Sequence, residues 1–363
     1  MSEKLKAVEL FAGAGGLSIG LEKAGFEVVI ANEIEHDFAK TFEVNHKNTK
    51  VIKKDIHEVD FKYEIRNIGN SEITLLSGGP PCQGFSTVGS KNEKDPRNSL
   101  FYEYLRAVVE IQPKYVLFEN VSGFKRMYSG EAYKTLIKEL GEHEYSTVSG
   151  ILEASDFGLP QKRQRTIVIG WKKGLKPVNL PKPTHFETAN LFCDNTKLSL
   201  IDAISDLPPI EVNDSADHYL TEPQNDYQEF LRGVCEMLTE HNSSKYGEKM
   251  QEILSLIPYG GSVMDLPERL RPKGYFNNTY ARLIPDVPAP TITRNFGTPS
   301  SSRCIHPFQN RALSTREGAR IQGFPDSYKF FGSKTSKNLQ IGNAVPPIFG
   351  EMIAKEIIKS IYS

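Results

Sequence analysis

From Leu5 to about Trp171 the sequence alternates short apolar runs with helical stretches, and this alternation constrains the fold more than any other feature. Runs at 5–10, 26–31, 50–53, 73–77, 115–118, 146–154 and 165–170 have strand length, and stretches at about 17–24, 99–111 and 136–140 read as helices. Strands separated by helices pair in parallel, because a helix carries the chain back across one face of the sheet. The expected fold class is α/β, a doubly wound, mostly parallel but mixed sheet. Open sheets of this kind bind ligands outside the carboxyl ends of their strands. The residues that follow each run are therefore the ones to examine.

The first run enters Phe11-Ala12-Gly13-Ala14-Gly15-Gly16 and then a helix, an arrangement that turns backbone N–H groups toward a nucleotide-like ligand. The second ends in Asn32-Glu33, roughly 20 residues past the glycines, where a carboxylate accepts hydrogen bonds from ribose hydroxyls. The third ends at Asp55-Ile56, where a carboxylate can accept from an adenine amino group. The glycine turn holds no lysine or arginine, and no G-x-x-x-x-G-K-[ST] occurs. An adenosine cofactor without phosphate is expected here rather than a triphosphate.

The fourth run opens into Gly78-Gly79-Pro80-Pro81-Cys82-Gln83-Gly84-Phe85-Ser86. Glycines and prolines stiffen the chain on both sides of one cysteine. A free cysteine is often merely buried, yet an inert one belongs on an apolar element rather than in a Gly/Pro loop beside Gln83 and Ser86. Cys82 is expected to be a nucleophile. The polar stretch 91–97 after it reads as a loop over the site. The fifth run leads directly to Glu119-Asn120, on the same sheet edge as Cys82, a carboxyl that burial would keep protonated. Further on, Gln161, Arg163 and Arg165 share one face of an extended segment, with the two arginines suited to an anion or a carbonyl oxygen.

The cysteines, Cys82, Cys193, Cys235 and Cys304, form no C-x-x-C pair, so neither zinc nor redox chemistry is expected and no metal is called for. No apolar run reaches membrane-spanning length and the N-terminus lacks a signal core, so the chain is expected to be cytoplasmic, reduced and free of membrane contact. A net charge of −1 argues weakly against nucleic acid. Its distribution argues for it: Arg269, Arg271, Arg282, Arg294, Arg303, Arg311, Arg316 and Arg320 crowd one stretch, interleaved with Tyr275, Phe276, Tyr280 and Phe296. Alternation is lost after Trp171, and prolines at 177, 181 and 183 mark a crossover. The expected domains are 1–185, catalytic and cofactor-binding; 186–338, a smaller, irregular DNA-recognition domain; and 339–363, a helical return to the first.

Taken in order, F-x-G-x-G-G, the acidic ends at Glu33 and Asp55, G-G-P-P-C-Q-G-F-S, F-E-N-V, Q-x-R-x-R, R-E-x-A-R-x-Q-G-F-P and Q-I-G-N-A-V-P-P resemble the DNA (cytosine-5) methyltransferase family of bacterial restriction–modification systems. The resemblance covers about 5–171 and 288–358. It implies S-adenosyl-L-methionine as methyl donor, S-adenosyl-L-homocysteine as product and double-stranded DNA as substrate. It also implies a monomer that shares its site with a restriction endonuclease without forming a stable complex. Carried over by residue, Phe11, Gly13, Gly15, Gly16, Glu33, Asp55, Ile56, Pro80, Leu100, Asn343 and Val345 line the cofactor pocket. Cys82, Glu119, Arg163 and Arg165 form the catalytic set, with Arg165 on the cytosine O2 and Arg163 steadying the cysteine's surroundings. Because the cytosine must leave the stack, Gln83 and Ser86 are expected to fill the gap or close over the base. Base reading is expected from 277–282, with Arg282, Arg294 and Arg303 on the DNA. An RNA cytosine-5 methyltransferase, a non-catalytic DNA-binding regulator and a nicotinamide-dependent oxidoreductase are the competing readings; labelled S-adenosylmethionine separates the last of these.

Overall fold

The structure, a computed structural model, describes residues 4–69, 72–81, 99–188, 195–300 and 304–363. The chain forms two compact units, each discontinuous in sequence. The first is Met1–Glu153, Gln164–Lys182 and Pro347–Ser363; the second is Ala154–Arg163 and Pro183–Pro346. These bounds differ from the contiguous domains expected from sequence: 154–163 belongs with the second unit, and the return to the first starts at Pro347.

The first unit is built on seven strands: β1 (Leu5–Leu10), β2 (Phe26–Asn32), β3 (Lys50–Ile52), β4 (Leu75–Gly78), β5 (Tyr115–Val121), β6 (Tyr145–Glu153) and β8 (Gln164–Lys172). β7 (Gln161–Lys162) pairs instead with β9 (Ala289–Pro290) in the second unit. The sheet order is β3-β2-β1-β4-β5-β8-β6. The first five strands are parallel, and β8 is antiparallel to both β5 and β6. The central strands β1, β4 and β5 are buried along most of their length and largely apolar, whereas β6 at the sheet edge is only partly buried. The direction of winding reverses between β1 and β4. In doubly wound sheets that reversal opens a crevice, and the glycine turn and the start of the cysteine loop both leave the sheet there.

The helices of this unit are α1 (Gly16–Ala24), α2 (His36–Asn45), α3 (Phe61–Asn67), α4 (Ser99–Ile111), α5 (Glu131–Glu142) and the C-terminal helix Pro347–Tyr362. Phe101, Tyr104, Leu105 and Val108 of α4 join Leu136 and Leu140 of α5 over Val116 and Phe118 of β5 in one core. α1 packs against the C-terminal helix backbone to backbone. A Cβ on Gly20 would lie 2.1 Å from the Pro347 carbonyl oxygen and 2.4 Å from the Glu351 nitrogen. Lys23 closes the same seam with an ion pair to Glu351 at 2.9 Å. Gly20→Ala must therefore push two main chains apart, an overpacking cost of about 1–3 kcal/mol. A lower urea midpoint is the expected result, and an unshifted one would show that the two helices can separate freely.

The second unit contains α6 (Leu200–Ile204), α7 (Asp226–Arg232), α8 (Glu248–Leu256), α9 (Thr315–Ile321) and α10 (Lys334–Asn343), and otherwise consists of turns. It holds together through buried arginines as much as through apolar cores. Arg163, Arg311, Arg316 and Arg320 are among its largest fully buried side chains. No helix of the described residues is long and apolar enough to cross a membrane.

Candidate active site

β1 ends in a turn that only an unusual backbone can make. Phe11 (φ 54°), Gly13 (φ 58°) and Gly15 (φ 86°) all lie in the left-handed region, which costs a phenylalanine energy and a glycine almost none. A side chain on Gly13 would meet nothing within 4 Å, the turn carries no cation, and the Gly15 N–H is bonded back to the Ala12 carbonyl at 3.0 Å. Glu33, buried just past β2, accepts the Gly13 and Glu35 N–H groups, each at 2.8 Å. Burial raises its pKa, and those two bonds oppose the rise. Asp55 stands half-exposed past β3 and accepts from the His57 N–H at 3.1 Å, with the His57 ring Nδ1 at 2.6 Å. The backbone bond first, and the ring second, hold its carboxyl below the usual range, so it stays an ionised acceptor. His57 Nε2 lies 3.0 Å from the Ser99 hydroxyl, which ties this turn to the start of α4. Phe11 and Leu100 pack on the same core, in which Ile56 is buried. Pro80 is buried in the first unit, while Asn343 is exposed and Val345 half-buried in the second. This donor and acceptor set, cation-free and rich in left-handed backbone, fits an adenosine-bearing group without phosphate.

Cys82, Gln83, Ser86, Arg303 and the 91–97 stretch lie outside the described residues. The approach to Cys82 is described, and it runs onto Glu119. A Cβ on Gly79 would sit 2.8 Å from Glu119 Oε2 and 3.3 Å from its main-chain oxygen, so a side chain there would push the Glu119 carboxylate aside. One residue on, the Pro80 carbonyl accepts from Asn120 Nδ2 at 3.0 Å. Glu119 and Asn120 lie within β5 rather than after it, because β8 extends the ladder, pairing Glu119 with Ile167 and Val121 with Arg165. That register brings Arg165 Nε to 2.7 Å from Glu119 Oε1, both side chains mostly buried.

Arg163 and Arg165, expected side by side, fall in different units. Arg165 belongs to the first unit, and Arg163 to the second, where its guanidinium donates to the carbonyls of Ile292 (3.2 Å), Gly342 (3.1 Å) and Ala344 (2.9 Å). These bonds fix the Arg163 guanidinium within the second unit. Arg282, expected on the DNA, is turned inward instead. It is buried, and its guanidinium makes five bonds, to the carbonyls of Ile257, Leu254, His306 and Gln309 and to the Asn310 side chain. That uses every donor an arginine has. Arg294 is exposed in the second unit.

One buried carboxyl escaped the sequence reading. Glu9, inside β1 beneath the glycine turn, is bonded by the Ser18 hydroxyl of α1. Burial pushes its pKa to about 8 against that bond, so it is mostly protonated at neutral pH. The signal was available: a charge between Val8 and Leu10 in a central strand must be either neutralised or used.

The chain matches the C-5 cytosine-specific DNA methylases over residues 5–359. It is 35% identical to the Type II methyltransferase M.DdeI of Desulfomicrobium norvegicum, covering 97% of this chain and 88% of that protein. It is 32% identical to the Type II methyltransferase M1.HphI of Haemophilus parahaemolyticus, with 98% and 87% covered. Among solved structures it resembles a candidate DNA modification methyltransferase encoded within an E. coli prophage, with a TM-score of 0.80, 26% identity and coverage of 99% of this chain and 100% of that one. It shares the fold of the S. pombe Dnmt2 methyltransferase, with a TM-score of 0.59, 17% identity and 99% and 100% covered.

Proposed function

We propose, from the premise that this chain belongs to the C-5 cytosine-specific DNA methylase family and is a cytosine-5 DNA methyltransferase of the Type II restriction–modification kind, that its first unit performs the chemistry and its second reads the DNA. C5 of cytosine is a poor nucleophile. The Cys82 thiolate adds its electron pair to C6 while Glu119 gives a proton to N3, and the ring becomes an enamine with electron density at C5. S-adenosyl-L-methionine, when bound, supplies an electrophilic sulfonium methyl group and is released as S-adenosyl-L-homocysteine. Loss of the C5 proton to a base then expels Cys82 and leaves 5-methylcytosine. Arg165 orients Glu119 and offers its cation to the pyrimidine O2. The base must be rotated out of the duplex to meet these groups, and Gln83 and Ser86 occupy or border the space it leaves.

The observation that carries this assignment is the crossing at Gly79, where the loop leading to the cysteine rests on the carboxylate of Glu119. Phe11, Gly13, Gly15, Gly16, Glu33, Asp55, Ile56, Pro80 and Leu100, with Asn343 and Val345, are the residues that would hold the methyl donor. Arg294 and Arg303 are assigned to DNA phosphates. The biological role is protection of a short sequence from a cognate endonuclease, by a cytoplasmic monomer that forms no stable complex with it. Bisulfite sequencing of a plasmid from cells expressing the chain tests the reading. Cytosines should resist conversion at one recurring short sequence. Complete conversion of the plasmid, with methyl groups appearing on tRNA instead, would overturn it in favour of an RNA substrate.

A further inference from the structure

In the second unit a small core of Ile253, Leu254, Ile257, Val263, Leu270 and Tyr280 supports a turn that holds an aromatic ring in solvent. Phe276 at the turn's tip is 82% exposed. Single exposed apolar residues are ordinary, so exposure alone decides nothing. The construction of the turn decides more. The Thr279 hydroxyl accepts the Phe276 N–H at 3.2 Å, and the Phe276 carbonyl accepts the Thr279 N–H at 2.8 Å. The Thr279 carbonyl is in turn bonded by the Val263 N–H at 2.8 Å. Tyr280 follows at φ 55°, buried in the core despite that strained backbone. On the entering side, Arg271 donates to the carbonyls of Leu266 (2.8 Å) and Met264 (2.7 Å). Both stems are hydrogen-bonded, and the turn between them carries Phe276 with its ring in solvent.

Its neighbours give the chemistry of a partner. Lys273 is exposed, and among the described residues no ion pair engages it. Asn277 is exposed beside the ring, while Thr279, Tyr280 and Arg282, also expected to read bases, are buried. A cation, an aromatic ring and an amide on one rigid turn match a phosphate, a base face or thymine methyl, and a base edge. We propose that the turn 273–278 is a sequence-reading element of this methyltransferase, in which Phe276 packs against a base of the recognition site, Asn277 bonds a base edge and Lys273 meets a phosphate. The inference rests on the family-level reading that duplex DNA is the substrate.

The test uses the full-length chain and the duplex identified by bisulfite sequencing, beside duplexes with single base-pair changes. Phe276→Ala should leave the thermal midpoint unchanged, weaken binding to the cognate duplex at least about tenfold, and shrink its preference over the changed duplexes. Lys273→Ala should weaken all duplexes alike and lower the slope of log K against log salt by about one. Phe276→Ala with cognate affinity within twofold of the parent and the same methylated sites would overturn the proposal. So would a variant altered only in self-association, because the ring would then face a protein. A parent chain that methylates one site while Phe276→Ala behaves identically condemns the turn alone. A parent that methylates no duplex DNA condemns the substrate reading instead.

Discussion

Cys82→Ser is expected to lower methyl transfer to duplex DNA by at least about 10⁴-fold while leaving DNA binding within a few-fold of the parent. A serine hydroxyl at neutral pH carries almost no alkoxide, whereas a thiol is a few per cent thiolate even without activation and is intrinsically far more nucleophilic. Without addition at C6, C5 never gains the electron density that transfer requires. A duplex carrying 5-fluorocytosine at the target isolates this step. Fluorine at C5 leaves no proton to remove, so the parent should remain attached to the DNA through a bond that survives denaturing electrophoresis. The serine variant should give no such band. Glu119→Gln preserves volume and can still hydrogen-bond N3, but it cannot deliver a proton, and a loss of about 10²–10⁴-fold is expected. A covalent band of undiminished intensity from Cys82→Ser would remove the cysteine from the reaction and end the mechanism proposed above.

How much of this was legible without coordinates depended on what each residue's neighbours were. The strands of the first unit could be read because parallel central strands are apolar on both faces, and the ends of those strands located Phe11, Glu33, Asp55 and the approach to Cys82. β5 was read as ending before Glu119, because a charge normally marks a strand's end. It continues to Val121 because Arg165 arrives from the antiparallel β8 to pair with that charge. Such a pairing depends on register between residues 46 positions apart and has no local signature. Part of the arginine-rich stretch, Arg282, Arg311, Arg316 and Arg320, turns inward for reasons equally hidden from the local sequence. A run of arginines looks alike in sequence whether it faces phosphate or carbonyl oxygen. Arg282 and Arg311 turned inward because loops without regular structure leave carbonyls that need donors, and a guanidinium supplies five. Phe276 stayed outside because its turn is closed by its own hydrogen bonds.

The same inward arginines set the largest stability effect we expect. Arg320 is buried between two carboxylates. It binds Asp326 through Nε and Nη2 (2.6 Å at the closest) and Asp206 through Nη1 and Nη2. Asp326 also takes the Tyr219 hydroxyl at 2.9 Å and lies 3.5 Å from Arg316 Nη1. Arg316 makes its other bonds to Thr239 and the Pro325 carbonyl, with its guanidinium fully buried. Two buried cations thus share Asp326, and because Arg320 keeps Asp206 it is Arg316 that loses its carboxylate when Asp326 is removed. Forming such a pair gains little net energy, because desolvation offsets most of the attraction. Removing one partner leaves the other charged and buried. Asp326→Ala should therefore cost about 3–5 kcal/mol, a large part of the stability of an ordinary domain. Arg232–Glu222, a 3.6 Å pair in the same unit whose carboxylate is 88% exposed, is the matched comparison. Glu222→Ala should change stability by no more than about 0.5 kcal/mol, since solvent already screens that pair. Urea titration of both variants, followed by a probe in the second unit, separates the cases. Equal shifts in midpoint for the two would mean that water or a rearranged side chain reaches Arg316, and the carboxylate cluster would then not be what keeps this loop-rich unit folded.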